Sequence, residues 1–192
     1  DASGVVSEFQ KCTPGEQEYR LNALIKGLCP TAIIAQTRGE AETMWEAGNC
    51  FPEGYTVSRP VAAHMLGDVM RSGKIYPFLP PVEKCEELKA DGWMRASMAV
   101  ITIRNTHIKP GRNSDIPQWI EAADWMRKEL GLQPVFVPDT ENPDEVYGDH
   151  LVCRKAALDV QYRIALYEAA DLNLGVNNGP MALNLMSRRP TL

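Results

Sequence analysis

The stretch RNTHIKPGRNSD, Arg104 to Asp115, gathers Arg104, His107, Lys109 and Arg112 between an apolar run and a helical one. The whole chain carries a formal charge of -5, so these residues make a local basic site in an acidic protein. A guanidinium offers a planar fork of donors that matches phosphate or carboxylate oxygens, and a helix start beyond it adds backbone N–H groups that lack partners. The chemistry such a loop can do is anion binding. Arg104, directly after the apolar run, is the expected ligand, with Arg112 and Asn113 as helpers. In the alternative, Arg112 pairs with a nearby carboxylate and Lys109 is merely solvated.

A second stretch, LNLGVNNGPMALNLM from Leu172 to Met186, passes from an apolar run through Asn-Asn-Gly-Pro into helical spacing. Gly175 and Gly179 allow backbone to approach a ligand, while Asn177 and Asn178 tolerate unusual dihedrals and offer amides. Pro180 suits the first turn of a helix that starts near Met181. The turn has the composition of an anion cradle; the alternative is a strand-to-helix corner that uses Gly and Pro for geometry alone. A third loop, Asp139 to Asp144, puts Asp139 directly after the run VFVP. A carboxylate there can accept from ribose hydroxyls, or it can simply cap and turn the chain.

What would place these loops together is an alternation of strands and helices. Met98–Ile103 is a β-branched apolar run, the pattern of a strand covered on both faces. Asp115–Leu130 repeats Ile116, Trp119, Ile120, Ala123, Met126 and Leu130 at helical spacing, with Ser114 or Asp115 as N-cap and Gly131 as the stop. Pro134–Pro138 predicts a strand, Leu158–Ala170 a helix, Leu172–Val176 a strand and Met181–Met186 a helix, with Thr191 opening a further strand. Such alternation implies an α/β fold: a doubly wound, mostly parallel, Rossmann-like sheet with helices on both faces and ligands at the carboxyl ends of its strands. Residues 1–92 are less regular and predict a partial N-terminal or linker region, with a strand at Ala32–Ala35, a helix at Glu40–Ala47 and turns at Phe51–Tyr55 and Tyr76–Pro81. Residues 93–192 predict a nucleotide-binding half, truncated at its C-terminus.

Several function classes drop out. The negative balance argues against a nucleic-acid surface, which needs many Lys and Arg contacts to phosphates. No apolar run reaches the ~18 residues of a membrane span. Five cysteines, an odd number without a CxxC pair, indicate neither a disulfide framework nor zinc, and fit a reducing, cytoplasmic setting. His64, His107 and His150 are too scattered to predict a metal site. GxSxG, GxGxxG and the Walker lysine are all missing from the sequence, so hydrolase and P-loop chemistry have no support.

The segments VITIRNTHIKPGRNSDIPQWIEAADWM, VFVPDT and ALYEAADLNLGVNNGPMAL together resemble the C-terminal nucleotide-binding domain of GT-B glycosyltransferases. The resemblance is to heptosyltransferase-like members, with a Gly-Pro turn beside the donor diphosphate, and fucosyltransferase-like members, with a strand-end arginine on that diphosphate. It covers Ser97–Leu192 and implies a small-molecule nucleotide sugar as donor substrate, no further cofactor and no metal. Arg104 matches the strand-end arginine; Asn178, Gly179, Pro180 and Met181 match the turn; Asp139 falls where a nucleoside contact belongs. Asn178 stands where the family has a small hydroxyl residue, and the base common in the N-terminal domain of the family has no counterpart here. The implied activity is glycosyl transfer to an acceptor hydroxyl. A non-catalytic domain that binds a nucleotide or phosphorylated metabolite is the alternative.

Overall fold

A computed structural model describes residues 35–46, 79–94, 97–107, 110–185 and 187–192. They fall into two compact units, one within Cys29–Tyr76 and the other containing Pro77–Leu192. In the first, helix α1 (Arg38–Glu46) begins at a capping pair: Thr37 Oγ1 accepts from the Glu40 amide, and the Glu40 carboxylate accepts from the Gln36 amide. The helix expected from Glu40 is thus present and starts two residues earlier. The strand expected at Ala32–Ala35 and the turn at Phe51–Tyr55 lie outside the described residues, apart from Ala35.

The second unit is α/β. Helix α2 (Val82–Ala90) precedes β1 (Met98–Thr102); a 3-10 turn (Pro110–Arg112) leads to α3 (Ile116–Trp125), which continues as a π-helical turn through Met126–Leu130. Then come β2 (Gln133–Val137), β3 (Leu151–Val152), α4 (Arg154–Leu158), α5 (Val160–Ala169), β4 (Leu172–Gly175) and α6 (Gly179–Leu185). The sheet order is β3-β2-β1-β4, and every pairing is parallel.

All of β1 is buried, as its unbroken apolar run requires. Successive side chains point to opposite faces. Met98 and Val100 pack with Leu88 of α2 and with Tyr162, Ala165, Leu166 and Tyr167 of α5. Ala99, Ile101 and Ile103 pack on the other face with Ala123, Met126, Phe136 and Tyr147. Helices therefore cover both faces, as the sequence predicts. The chain runs from β1 outward through β2 and β3, then returns to the far side of β1 as β4. Strand order reverses between β1 and β4, and in an open parallel sheet that reversal leaves a crevice at the carboxyl ends.

One local alternative is settled and three expectations change. Asp115 is the N-cap of α3, accepting from the Gln118 amide, while the Ser114 hydroxyl is used by the Arg104 amide. Leu130 is half exposed, because the wider turn from Met126 breaks the 3.6-residue spacing that would have kept it inward. The helix expected over Leu158–Ala170 is α5, Val160–Ala169, and Leu158 instead ends the short helix α4 before it. Asp159 takes an extended backbone and its carboxylate caps the amides of Gln161 and Tyr162, so α5 starts afresh and Leu158 turns outward. The strand expected at Thr191 is a single parallel bridge to Asn173. Strand β3 was not foreseen: its two residues are too few for any periodicity to show.

Candidate functional site

At the end of β1 the chain enters a loop whose two ends are tied together. The Arg104 amide donates to Ser114 Oγ at 2.9 Å, and the Ser114 amide donates to the Arg104 carbonyl at 2.8 Å. The Arg104 side chain is buried, and its Nη1 donates to Asn113 Oδ1 at 2.8 Å. Asn113 also accepts from the Thr106 amide and donates to the Thr106 carbonyl, so it holds both the loop and the guanidinium. Arg112 reaches across to the neighbouring loop, its Nη2 donating to the Asn177 carbonyl at 2.9 Å. That contact fastens the β1 and β4 loops to one another. Lys109 lies outside the described residues.

At the end of β4, Gly175 is required by packing. A Cβ there would lie 2.7 Å from Met181 Sδ and 2.9 Å from the Thr102 carbonyl oxygen. The Met181 side chain is buried in that contact, and its amide donates to Asn178 Oδ1 at 2.9 Å, which caps α6. Gly179 differs: a Cβ on it would meet nothing within 4 Å, so the fold itself leaves that space open.

The β2 loop closes the third side. Asp139 accepts from the Asn105 amide and, with its other oxygen, from the Glu141 amide, both at 3.1 Å. Its carboxylate therefore caps backbone, one of the two roles the sequence allows. Glu141 in turn accepts from Thr106 Oγ1 at 2.7 Å and contacts His107 Nδ1 at 2.8 Å. These hydrogen bonds, Thr106 first, hold the Glu141 carboxyl below its ordinary range despite some desolvation.

The loops enclose a cavity of about 220 Å³ lined by Arg104, Asp139, Asn178, Gly179 and Pro180, with Ile103, Thr106, Pro138, Thr140 and Arg163. Arg104 and the Asn-Gly-Pro turn, 74 positions apart in sequence by the numbering of Arg104 and Asn178, thus face one space at the strand-order reversal. Arg112, Asn113 and Met181 do not line it; they stand behind it as the contacts just described. Arg163 was missed. It sits in the first turns of α5, which begins at the carboxyl rim because a crossover helix runs antiparallel to the strands it joins. The signal appears only with the structure: Tyr162 to Glu168 are buried all round the helix, and an arginine inside a wholly buried helix needs a polar destination.

A second group lies at the other rim, near the start of β3. Single ligand atoms of Asp124, Asp149 and His150 come within 4.8 Å of one another. Arg127 already bonds both carboxylates there, through Nη2 to Asp124 at 2.8 Å and Nη1 to Asp149 at 3.2 Å. Both carboxylates of the group are thus already paired with a guanidinium. Among the described residues no helix is long and apolar enough to cross a membrane.

No protein-family model matches the sequence, and no curated protein matches it significantly. The chain is similar in fold to a solved glycosyl transferase. That structure, the glycosyl transferase family 9 protein from Veillonella parvula DSM 2008, superposes with a TM-score of 0.53 at 13% identity over 71% of this chain. At that identity the likeness speaks for the α/β fold. The chain spans less than half of the solved structure, 43% of it.

Proposed function

We propose that the rim between β1 and β4 binds the diphosphate of a nucleotide sugar and that the chain serves glycosyl transfer to an acceptor hydroxyl. The observation that carries this reading is the convergence of Arg104 with Asn178, Gly179 and Pro180 on one cavity at the strand-order reversal. The fold shared with a glycosyl transferase supports it. As the bond from sugar to diphosphate breaks, negative charge builds on the leaving oxygens. A guanidinium already fixed by Asn113 stabilises that charge without reorganising, which lowers the barrier electrostatically. Pro180 and the open position at Gly179 let backbone come close to the phosphates. Asp139, whose carboxylate caps the β2 loop, marks the side of the cavity assigned to the nucleoside end.

Titration calorimetry with UDP, GDP and ADP tests the binding step. Arg104→Ala is expected to weaken the preferred diphosphate by more than ~1.5 kcal/mol, the scale of a charge-assisted hydrogen bond. Lys109→Ala is expected to change little; equal small effects from both would remove Arg104 from the site. Gly179→Val is expected to weaken binding by crowding the phosphates while leaving the fold intact.

A second reading has its own support. Because the chain spans 43% of the solved transferase, the same cavity can belong to a domain that binds a nucleotide or phosphorylated metabolite without catalysis. Release of free sugar from a nucleotide-sugar donor, assayed with the full-length protein, separates the two. Turnover lost in Arg104→Ala supports transfer; tight binding with no turnover supports the second reading.

A further inference from the structure

Arg163 is only 6% exposed, yet it lines the cavity. Its Nε and Nη2 donate to the carbonyls of Ala156 and Ala157, in the last turn of α4. Those carbonyls end a helix and are open to an outside donor, so they fix the plane of the guanidinium. They supply partial charge at most. Among the described residues no carboxylate lies within 4 Å of Arg163, and Nη1 has no hydrogen-bond partner.

The nearby groups do not make good the missing charge. Asp159, one turn earlier, spends its carboxylate on the amides of Gln161 and Tyr162 and on Lys84 at 2.7 Å. Asp139, the carboxylate that lines the cavity, accepts from the amides of Asn105 and Glu141. Tyr167, one turn later, bonds Thr102 Oγ1 at 2.8 Å, and burial pushes its phenol up, so it is neutral near pH 7. Arginine cannot shed its proton to escape burial. A buried guanidinium without a counter-charge is costly, and such groups in folded proteins are ordinarily paired.

The geometry points to Arg163 as a second anion-binding residue of the cavity, supplying with Arg104 the positive charge that holds a phosphate-class anion. Nη1 is the free donor, and the carbonyl clamp aims it in advance. The assignment deepens the reading above, in that it names a residue that would hold the diphosphate, and rests on that reading only for the identity of the anion. It concerns a position in the middle of a helix rather than a loop. The two arginines approach from different elements, the end of β1 and the start of α5, so the anion would sit between the sheet and the helix that covers it.

The test uses the full chain and inorganic pyrophosphate, followed by calorimetry and by the ligand-induced rise in melting temperature. Arg163→Met keeps the length of the stem and removes the charge. It is expected to weaken pyrophosphate binding by at least about tenfold, the scale of a lost charge-assisted contact. Without ligand, its melting temperature is expected to equal or exceed that of the parent, because an uncompensated buried charge has been replaced by an apolar group. Lys128→Ala, an exposed change beside Glu129, is the control and is expected to bind as the parent does. If Arg163→Met does not fold, Arg163→Gln, which retains a donor for the carbonyls, is judged by the same tenfold criterion. Undiminished pyrophosphate affinity in the folded variant, or no binding by the parent, overturns the assignment. A nucleoside diphosphate that binds the parent and the variant alike leaves the proposed function standing and removes Arg163 from it. Pyrophosphate binding that needs Arg163, without any preference for nucleoside diphosphates, does the reverse.

Discussion

The corner where α2 meets α4 and α5 and the rim where β1 and β4 end treat charge in opposite ways. At the corner Lys84 and Lys155 are each shared between two carboxylates. Lys84 contacts Glu87 at 2.9 Å and Asp159 at 2.7 Å, while Lys155 contacts Glu87 and Asp91 and lies 4.5 Å above the Tyr162 ring. Tyr162 adds its hydroxyl to Asp91 at 2.8 Å. The charges there neutralise one another and face water. At the rim the shape of the site is set by a glycine, an asparagine cap and buried packing, while Arg163 is left without a carboxylate. Lys84 and Lys155 are matched by carboxylates of the protein itself; Arg163 at the rim is held by backbone carbonyls.

The comparison breaks most easily at Gly175. In Gly175→Ala the added methyl has to move Met181 and also faces the Thr102 backbone oxygen, which cannot swing away. Overpacking of this kind costs about 1–3 kcal/mol, measured by chemical denaturation, and the loss should not depend on salt. Gly179→Ala, four residues on, is expected to leave stability nearly unchanged because its Cβ meets nothing. Equal losses at both glycines would mean that the rim is not shaped by the Gly175 contact. Next in size is Asn178→Ala. Removing the cap leaves the Met181 amide unpaired and is expected to destabilise by about 1 kcal/mol, again without salt dependence.

These rim residues show what was legible in the sequence. Met98–Ile103 reads as a buried strand because its apolar run is continuous, and Ser114 or Asp115 and Gly131 mark the ends of a helix by residue type alone. Arg104 and the Asn178–Pro180 turn could be placed on one edge because strands joined by helices must be parallel. Which strands adjoin was not legible, since sequence order is β1 to β4 while spatial order puts β4 beside β1. Arg163 was illegible for a related reason: its destination depends on where α5 begins, and that is set by Asp159 leaving the helix to cap it. The roles of Arg112 and Asn113 as fasteners also follow from contacts across loops, which no spacing encodes.

The corner gives a smaller response, and one that water and salt control. Hydrogen bonds from Lys155 first, then from Lys84 to Glu87 and from Tyr162 to Asp91, hold these two carboxyls below their ordinary range. Burial alone would raise Asp159, but the Lys84 contact and the amides of Tyr162 and Gln161 together bring it below as well. A carboxyl whose folded pKa is depressed contributes stability above its unfolded value and loses it as the pH falls through the folded one. The protein should therefore weaken as the pH drops below about 4. Lys155→Met isolates the corner's share: it removes the cation that Glu87 and Asp91 have in common, so the acid limb of a stability–pH curve should flatten. At neutral pH the melting temperature should fall slightly at low salt and converge on the parent's as salt is raised, because the screened pair has little left to lose. A loss from Lys155→Met that persists in high salt would show the corner to be held by the packing of the lysine stem on Tyr162 rather than by charge, and the contrast with the rim would then rest on Arg163 alone.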